Sequence, residues 1–230
     1  MEQLTLIDLG KKYFDGEGCK TWKMYRLYER HLSQLRDLPI KILELGVFSG
    51  SSLEVWHEYF PKATVVGLDI NPVKREFGSR ISFVQGSQDD LALLKETSQK
   101  FAPDGWDVII DDASHLGYYS KKSFWYLFIN HLSPGGLYFL EDWGTGYWDD
   151  WPDGKKFQDQ TEDMVDGKIP NRFISHDYGM VGLVKQLGDE AGRNAIHTLS
   201  NQPSERRTYF EHMDITIGFV MIQKKFATTD

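Results

Sequence analysis

Short apolar runs alternate with amphipathic stretches from Ile40 to Leu140, and that alternation leaves few architectures open to the chain. Ile40–Leu45 (IKILEL), Thr64–Leu68 (TVVGL), Ile81–Val84, Trp106–Ile110 (WDVII) and Gly136–Leu140 (GLYFL) carry the branched and aromatic residues that suit buried strands. Between them, Ser51–Tyr59, a short segment opened by Pro72, Asp89–Phe101 and Ser120–His131 are expected helices. Pro72 fits a first helical turn because it has no N–H to leave unpaired. Strictly alternating strands and helices imply a parallel sheet with right-handed crossovers.

The flanks differ. Residues 3–14 and 22–36 are expected helices, the second carrying Tyr25, Tyr28 and His31/Leu32 at helical spacing. Gly144–Pro170 is rich in Gly, Asp, Trp and Pro and has no period; a loop of that length in a compact domain usually serves function. Val181–Glu190 returns to helix, and Thr208–Met213 and Ile217–Gln223 form an expected antiparallel hairpin.

The net charge of −8 comes without a basic stripe, which argues against nucleic acid and against an anionic membrane surface. No apolar run approaches the ~20 residues of a membrane span. The sequence holds one cysteine, Cys19, so neither an internal disulfide nor a cysteine metal cluster is possible. The first residues lack a secretory pattern, and a reduced cytoplasm is the expected compartment.

The first strand runs into Glu44-Leu45-Gly46-Val47-Phe48-Ser49-Gly50-Ser51. Gly46 and Gly50 bracket a strand-to-helix turn where small residues admit a ligand and the helix start offers free N–H groups. Val47 and Phe48 interrupt the G-x-G-x-x-G spacing that a pyrophosphate requires, so the turn favours a ligand without one. Asp69 ends the second strand, placed to accept hydrogen bonds from ribose hydroxyls. Ser87-Gln88, after the third strand, lie where a base would stack.

The fourth strand ends in Asp111-Asp112-Ala113-Ser114-His115, the fifth in Glu141-Asp142-Trp143. Adjacent strands lie roughly 4.8 Å apart, so Asp112, Glu141 and Asp142 should converge. Three carboxylates at one point need a cation, and a hard divalent ion such as Mg2+ takes oxygen ligands. His115 is placed to accept a proton. Alternatively, Asp111 and Asp112 cap the next helix, and His115 is structural. In a regular strand Glu141 and Asp142 point to opposite faces, so both serve one ion only if the strand bends.

The glycine turn with Glu44, Gly46 and Gly50, the acid Asp69 and the Ser87-Gln88 loop together resemble the class I methyltransferases. D-D-A-S-H followed by E-D-W resembles, more narrowly, the metal-dependent sugar O-methyltransferases of macrolide antibiotic biosynthesis, the mycinamicin and macrocin type. The resemblance covers about residues 40–148, with a weaker echo in Tyr25–Arg30. It implies a Rossmann-like α/β fold with a mostly parallel seven-stranded sheet, helices on both faces and a C-terminal antiparallel hairpin. It implies S-adenosylmethionine held by Glu44, Gly46, Gly50, Ser51, Asp69, Ser87, Gln88 and Asp111. It also implies Mg2+ held by Asp112, Glu141 and Asp142, with His115 and Asp112 at the reaction and His115 as base.

On this basis residues 1–230 form one methyltransferase domain: a helical extension (1–38), a cofactor-binding core (39–142), a lid or acceptor loop (143–175) and a C-terminal helix and hairpin (176–230). The expected acceptor is a hydroxyl of a sugar or glycosylated natural product, and a homo-oligomer is expected. The chain departs from the resemblance in lacking the large N-terminal domain of the mycinamicin-type enzyme and in the Asp/Trp-rich run after Trp148. The aromatic loop suits a sugar face, a flat polyketide, or packing and oligomer contact. N-methylation without a metal, and a cephalosporin-hydroxylase-like protein of the same fold, are the alternative functions.

Overall fold

A computed structural model describes residues 3–14, 16, 20–154, 159–162, 172–174, 177–194 and 206–227. Cys19 lies outside these residues. Helices α1 (Leu6–Lys12) and α2 (Trp22–Leu32) precede β1 (Lys41–Leu45), α3 (Ser51–Tyr59), β2 (Thr64–Asp69), β3 (Ile81–Gln85), α4 (Leu91–Phe101), β4 (Trp106–Asp111), α5 (Gly117–Asn130) and β5 (Leu132–Glu141). A 3-10 turn over Trp143–Tyr147 leads towards the short pair β6 (Asp159–Glu162) and β7 (Arg172–Ile174). Helix α6 (Gly179–Ala191) and strands β8 (Phe210–Ile215) and β9 (Phe219–Lys224) follow.

The main sheet has seven strands in the order β3-β2-β1-β4-β5-β9-β8. Pairings from β3 through β5 are parallel, and β9 runs antiparallel to both β5 and β8. Strand alternation sends successive side chains into two separate cores. Ile42, Val108, Ile110 and Phe139 pack with α1, α2 and α3; Leu43, Ile109, Tyr138 and Leu140 pack with α4, α5 and α6. The expected seven-stranded fold with helices on both faces is therefore the one found. The order reverses between β1 and β4, so a crevice opens beyond their C-terminal ends, where open α/β sheets bind ligands.

Local chemistry explains most boundaries. Thr5 and Asp8 form a reciprocal capping box at the start of α1. Asp90 caps α4 by accepting from the Ala92 and Leu93 amides at 3.1 Å, so the helix expected from Asp89 starts at Leu91.

Two expectations fail. No helix follows Pro72, because residues 72–78 are irregular. That connection must return along a whole parallel strand, and extended backbone covers the distance with fewer residues than a helix rising about 1.5 Å per residue. Phe77 instead packs onto the first core. The segment from Gly144 also contains regular structure, the 3-10 turn and the β6–β7 pair, although much of it lies outside the described residues. No helix among the described residues is long and apolar enough to cross a membrane.

Candidate active site

A cavity of about 1010 Å3 opens beyond the C-terminal ends of the central strands. Its volume is at the upper end of the range for a small-molecule site. One end is lined by Gly46, Val47, Phe48, Ser51, Asp69, Ser87 and Gln88, the other by Lys20, Asp112, His115, Glu141, Asp142, Thr145, Trp148 and Trp151.

At the first end the β1–α3 turn is fixed by backbone geometry. Gly46 and Gly50 have φ of +85° and +86°, a region that L side chains avoid. A Cβ on Gly46 would strike the backbone of Asp112, and one on Gly50 would meet the Phe77 ring at 2.8 Å. The glycines are thus demanded by neighbouring chain, and Gly50 stands outside the cavity lining. Asp69 Oδ2 accepts the Val47 and Phe48 amides at 2.8 and 3.1 Å, and its Oδ1 accepts the Asn71 amide at 2.8 Å. The two amides use the acceptor sites of Oδ2, while Oδ1, with one donor, keeps a second.

Gln88 is clamped from both sides. Its Nε2 donates to Asp111 Oδ1 at 3.0 Å, and its Oε1 accepts the Ser114 amide at 3.0 Å. Ser87 Oγ donates to Asp89 Oδ1 at 2.6 Å. Asp111 and Glu44 lie beneath the cavity rather than on it. Asp111 is buried below Gln88, with Ser123 Oγ donating to it at 3.2 Å, and burial raises its carboxyl above the usual range. Glu44 is fully buried and accepts from Ser52 Oγ at 2.8 Å and Trp56 Nε1 at 3.1 Å.

At the other end, strand β5 breaks where two carboxylates on one face would require it. Asp142 adopts φ +50°, and the turn brings its half-open side chain to the same cavity as Glu141. Glu141 is buried, and Tyr28 Oη donates to its Oε1 at 2.5 Å. Burial first, then the charge of Asp112, pushes Glu141 well above the usual carboxylate range, against the pull of Lys20. Asp142 is raised for the same two reasons, opposed by His115 and Lys20.

His115 sits at φ +49° with Nε2 3.6 Å from Asp112 Oδ1 and 3.8 Å from Asp142 Oδ2. Its carbonyl accepts from Trp151 Nε1 at 2.8 Å and from Thr145 Oγ1 at 3.3 Å. Ligand atoms of Asp112, His115 and Asp142 all lie within 4.8 Å of one another, as do those of Glu44, Asp112 and Glu141. Asp112 belongs to both groups, so the acidic cluster has a more open outer lobe with His115 and Asp142 and a more buried inner lobe with Glu44 and Glu141.

Lys20 had no place in the sequence reading, yet it fills the inner lobe. Its ammonium pairs with Glu44 at 2.8 Å, with Glu141 at 3.1 Å and with Asp112. A lone lysine before an expected helix carries no local signal; only the packing of α2 on the sheet brings it in.

The seven-stranded sheet with its antiparallel end hairpin, and a cavity beyond the C-terminal ends of its central strands, define the class I methyltransferase fold. The chain is a relative of the macrolide-sugar O-methyltransferases of the mycinamicin, oleandolide and macrocin type. Mycinamicin VI 2''-O-methyltransferase of Micromonospora griseorubida is 35% identical over 151 residues, 62% of this chain and 37% of that protein. L-olivosyl-oleandolide 3-O-methyltransferase of Streptomyces antibioticus is 34% identical over 207 residues, 76% of this chain and 53% of that protein. The structure of the MycE methyltransferase from the mycinamycin pathway with Mg, SAH and mycinamycin VI matches with a TM-score of 0.74 at 25% identity, covering 98% of this chain and 54% of that one. The chain thus spans about half or less of the length of these relatives. No protein-family model matches it.

Proposed function

We propose that this chain is an S-adenosylmethionine- and Mg2+-dependent O-methyltransferase acting on a hydroxyl of a sugar carried by a natural product. One observation carries the reading: the acidic outer lobe with His115 shares a single cavity with Asp69, Gln88 and the glycine turn. The relatives named above, and the Mg and SAH bound in the solved one, support it.

The nucleoside lies against Asp69 through its ribose and against Ser87-Gln88 through its base, while Asp111 holds Gln88 in place from below. Carboxylate oxygens from Asp112 and Asp142, with Glu141 behind them, suit a hard divalent cation. Such an ion, when bound, orients the acceptor and acidifies its hydroxyl. His115 then takes that proton on Nε2. The freed oxygen forms its bond to the methyl carbon as the carbon–sulfur bond breaks, leaving S-adenosylhomocysteine as a neutral thioether. Trp148, exposed in the cavity lining, gives the acceptor aromatic surface.

The test is methyl transfer from S-adenosylmethionine to a panel of glycosylated natural products, before and after metal stripping. Transfer to a sugar hydroxyl that disappears with the metal and returns with Mg2+ is the expected result. Transfer to an amine would replace it with N-methylation, and transfer to a hydroxyl that is indifferent to EDTA would remove the metal from the reading.

A further inference from the structure

The Lys20 side chain is 5% exposed, and a buried ammonium needs compensating charge. It has that charge three times over, in Glu44, Asp112 and Glu141. Two of these carboxylates, Asp112 and Glu141, are the ones assigned above to the divalent cation. We infer that Lys20 is a built-in counter-cation that competes with the divalent ion for Asp112 and Glu141, holding the acidic cluster together without metal and weakening metal binding.

This rests on the reading of the cluster as a Mg2+ site. The physical basis is simple. An ammonium and a dication that share two carboxylates repel one another, and each takes acceptor lone pairs the other would use. Without either cation, buried Glu44 and Glu141 and the partly buried Asp112 would face one another and lose charge to protonation. Lys20 precedes α2, while Glu44, Asp112 and Glu141 end β1, β4 and β5, so the contact ties the segment before α2 to the catalytic edge of the sheet. Metal binding should loosen that tie.

Calorimetric titration of Mg2+ into metal-stripped wild-type protein and Lys20→Met decides the matter, with thermal melting in EDTA alongside. The variant should bind Mg2+ at least about tenfold more tightly. It should also melt lower than wild type in EDTA, and Mg2+ should close that gap. Equal or weaker affinity in the variant overturns the competition while leaving the metal site standing. Absence of Mg2+ binding to both proteins overturns the metal reading itself, and the competition with it. Should Lys20→Met fail to fold, acylation of Lys20 in the wild-type protein, followed by mass spectrometry, gives the answer. Mg2+ should speed that acylation several-fold; an unchanged rate overturns the proposal.

Discussion

Asp69 and Asp142 both stand at the C-terminal end of a strand and both line the same cavity, but they are held in different ways. Asp69 is fixed by backbone amides of one β-α-β unit: Val47, Phe48 and Asn71 all donate to it. Asp142 is surrounded by charged side chains from elsewhere, with His115 near it and burial, then Asp112, raising its carboxyl, and it sits on a left-handed turn. The contacts that hold Asp69 are therefore made within one β-α-β unit, whereas the acidic end exists only once β1, β4, β5 and the segment before α2 have met. A carboxylate satisfied by backbone amides tolerates an empty cavity; clustered carboxylates need a cation or lose charge to protonation.

The sharpest way to break the contrast is to remove that cation. Metal ions contribute several kcal/mol of charge stabilisation, so stripping with EDTA should lower turnover by on the order of a thousandfold. Asp142→Asn should mimic it, with S-adenosylmethionine affinity preserved, measured by calorimetry. Turnover that survives complete stripping would mean Lys20 alone satisfies the cluster.

Next in size is His115. Removal of a general base typically costs about 10²- to 10⁴-fold, so His115→Ala should lower kcat on that scale, with partial recovery at high pH. His115 also stands in the outer group of potential ligands, which makes Mg2+ affinity the discriminating readout. Unchanged affinity identifies a base, and a large loss identifies a ligand.

These two ends also differ in how far sequence reveals them. Strand ends at Leu45, Asp69 and Glu141 follow from apolar runs and turn residues, and the site residues are placed by them. The reason for Gly46 was not visible: its missing Cβ makes room for the backbone of Asp112, far along the chain. Nor was it visible that Glu44 and Asp111, at strand ends like the others, point beneath the cavity, since one residue of register decides the face. Lys20 is the extreme case, because charge complementarity between distant residues leaves no local pattern. The D-x-x-H and E-D motifs raised the question of a cation, and packing supplied one that no spacing rule contains.

At the nucleoside end a smaller effect is expected. Asp69→Ala should weaken S-adenosylmethionine by roughly 1.5–3 kcal/mol, the range for hydrogen bonds to a charged group. Because Asp69 also organises the Val47 and Phe48 amides, Asp69→Asn, which keeps one acceptor oxygen, should lose less. If the two variants bind equally well, the ribose contact is not where the affinity lies, and the turn is self-supporting.

The smallest expected effect tests whether the acidic end is held as rigidly as the nucleoside end. His115 occupies a left-handed backbone conformation, which costs a non-glycine residue about 1–2 kcal/mol. Its carbonyl is anchored by Trp151 Nε1 and, at longer range, by Thr145 Oγ1, and the Trp151 ring lies 6.0 Å from the imidazole. Trp151→Phe keeps an aromatic ring and removes the stronger donor. A neutral hydrogen bond contributes about 0.5–1.5 kcal/mol, so kcat should fall roughly two- to tenfold while S-adenosylmethionine affinity stays unchanged. Thr145→Val, which removes the longer contact, should cost less than Trp151→Phe. If His115 is already out of play, adding Trp151→Phe to His115→Ala should have almost no further effect on kcat, because the indole acts only through the residue it positions. A full additive loss in the double variant would instead assign Trp151 to the acceptor itself.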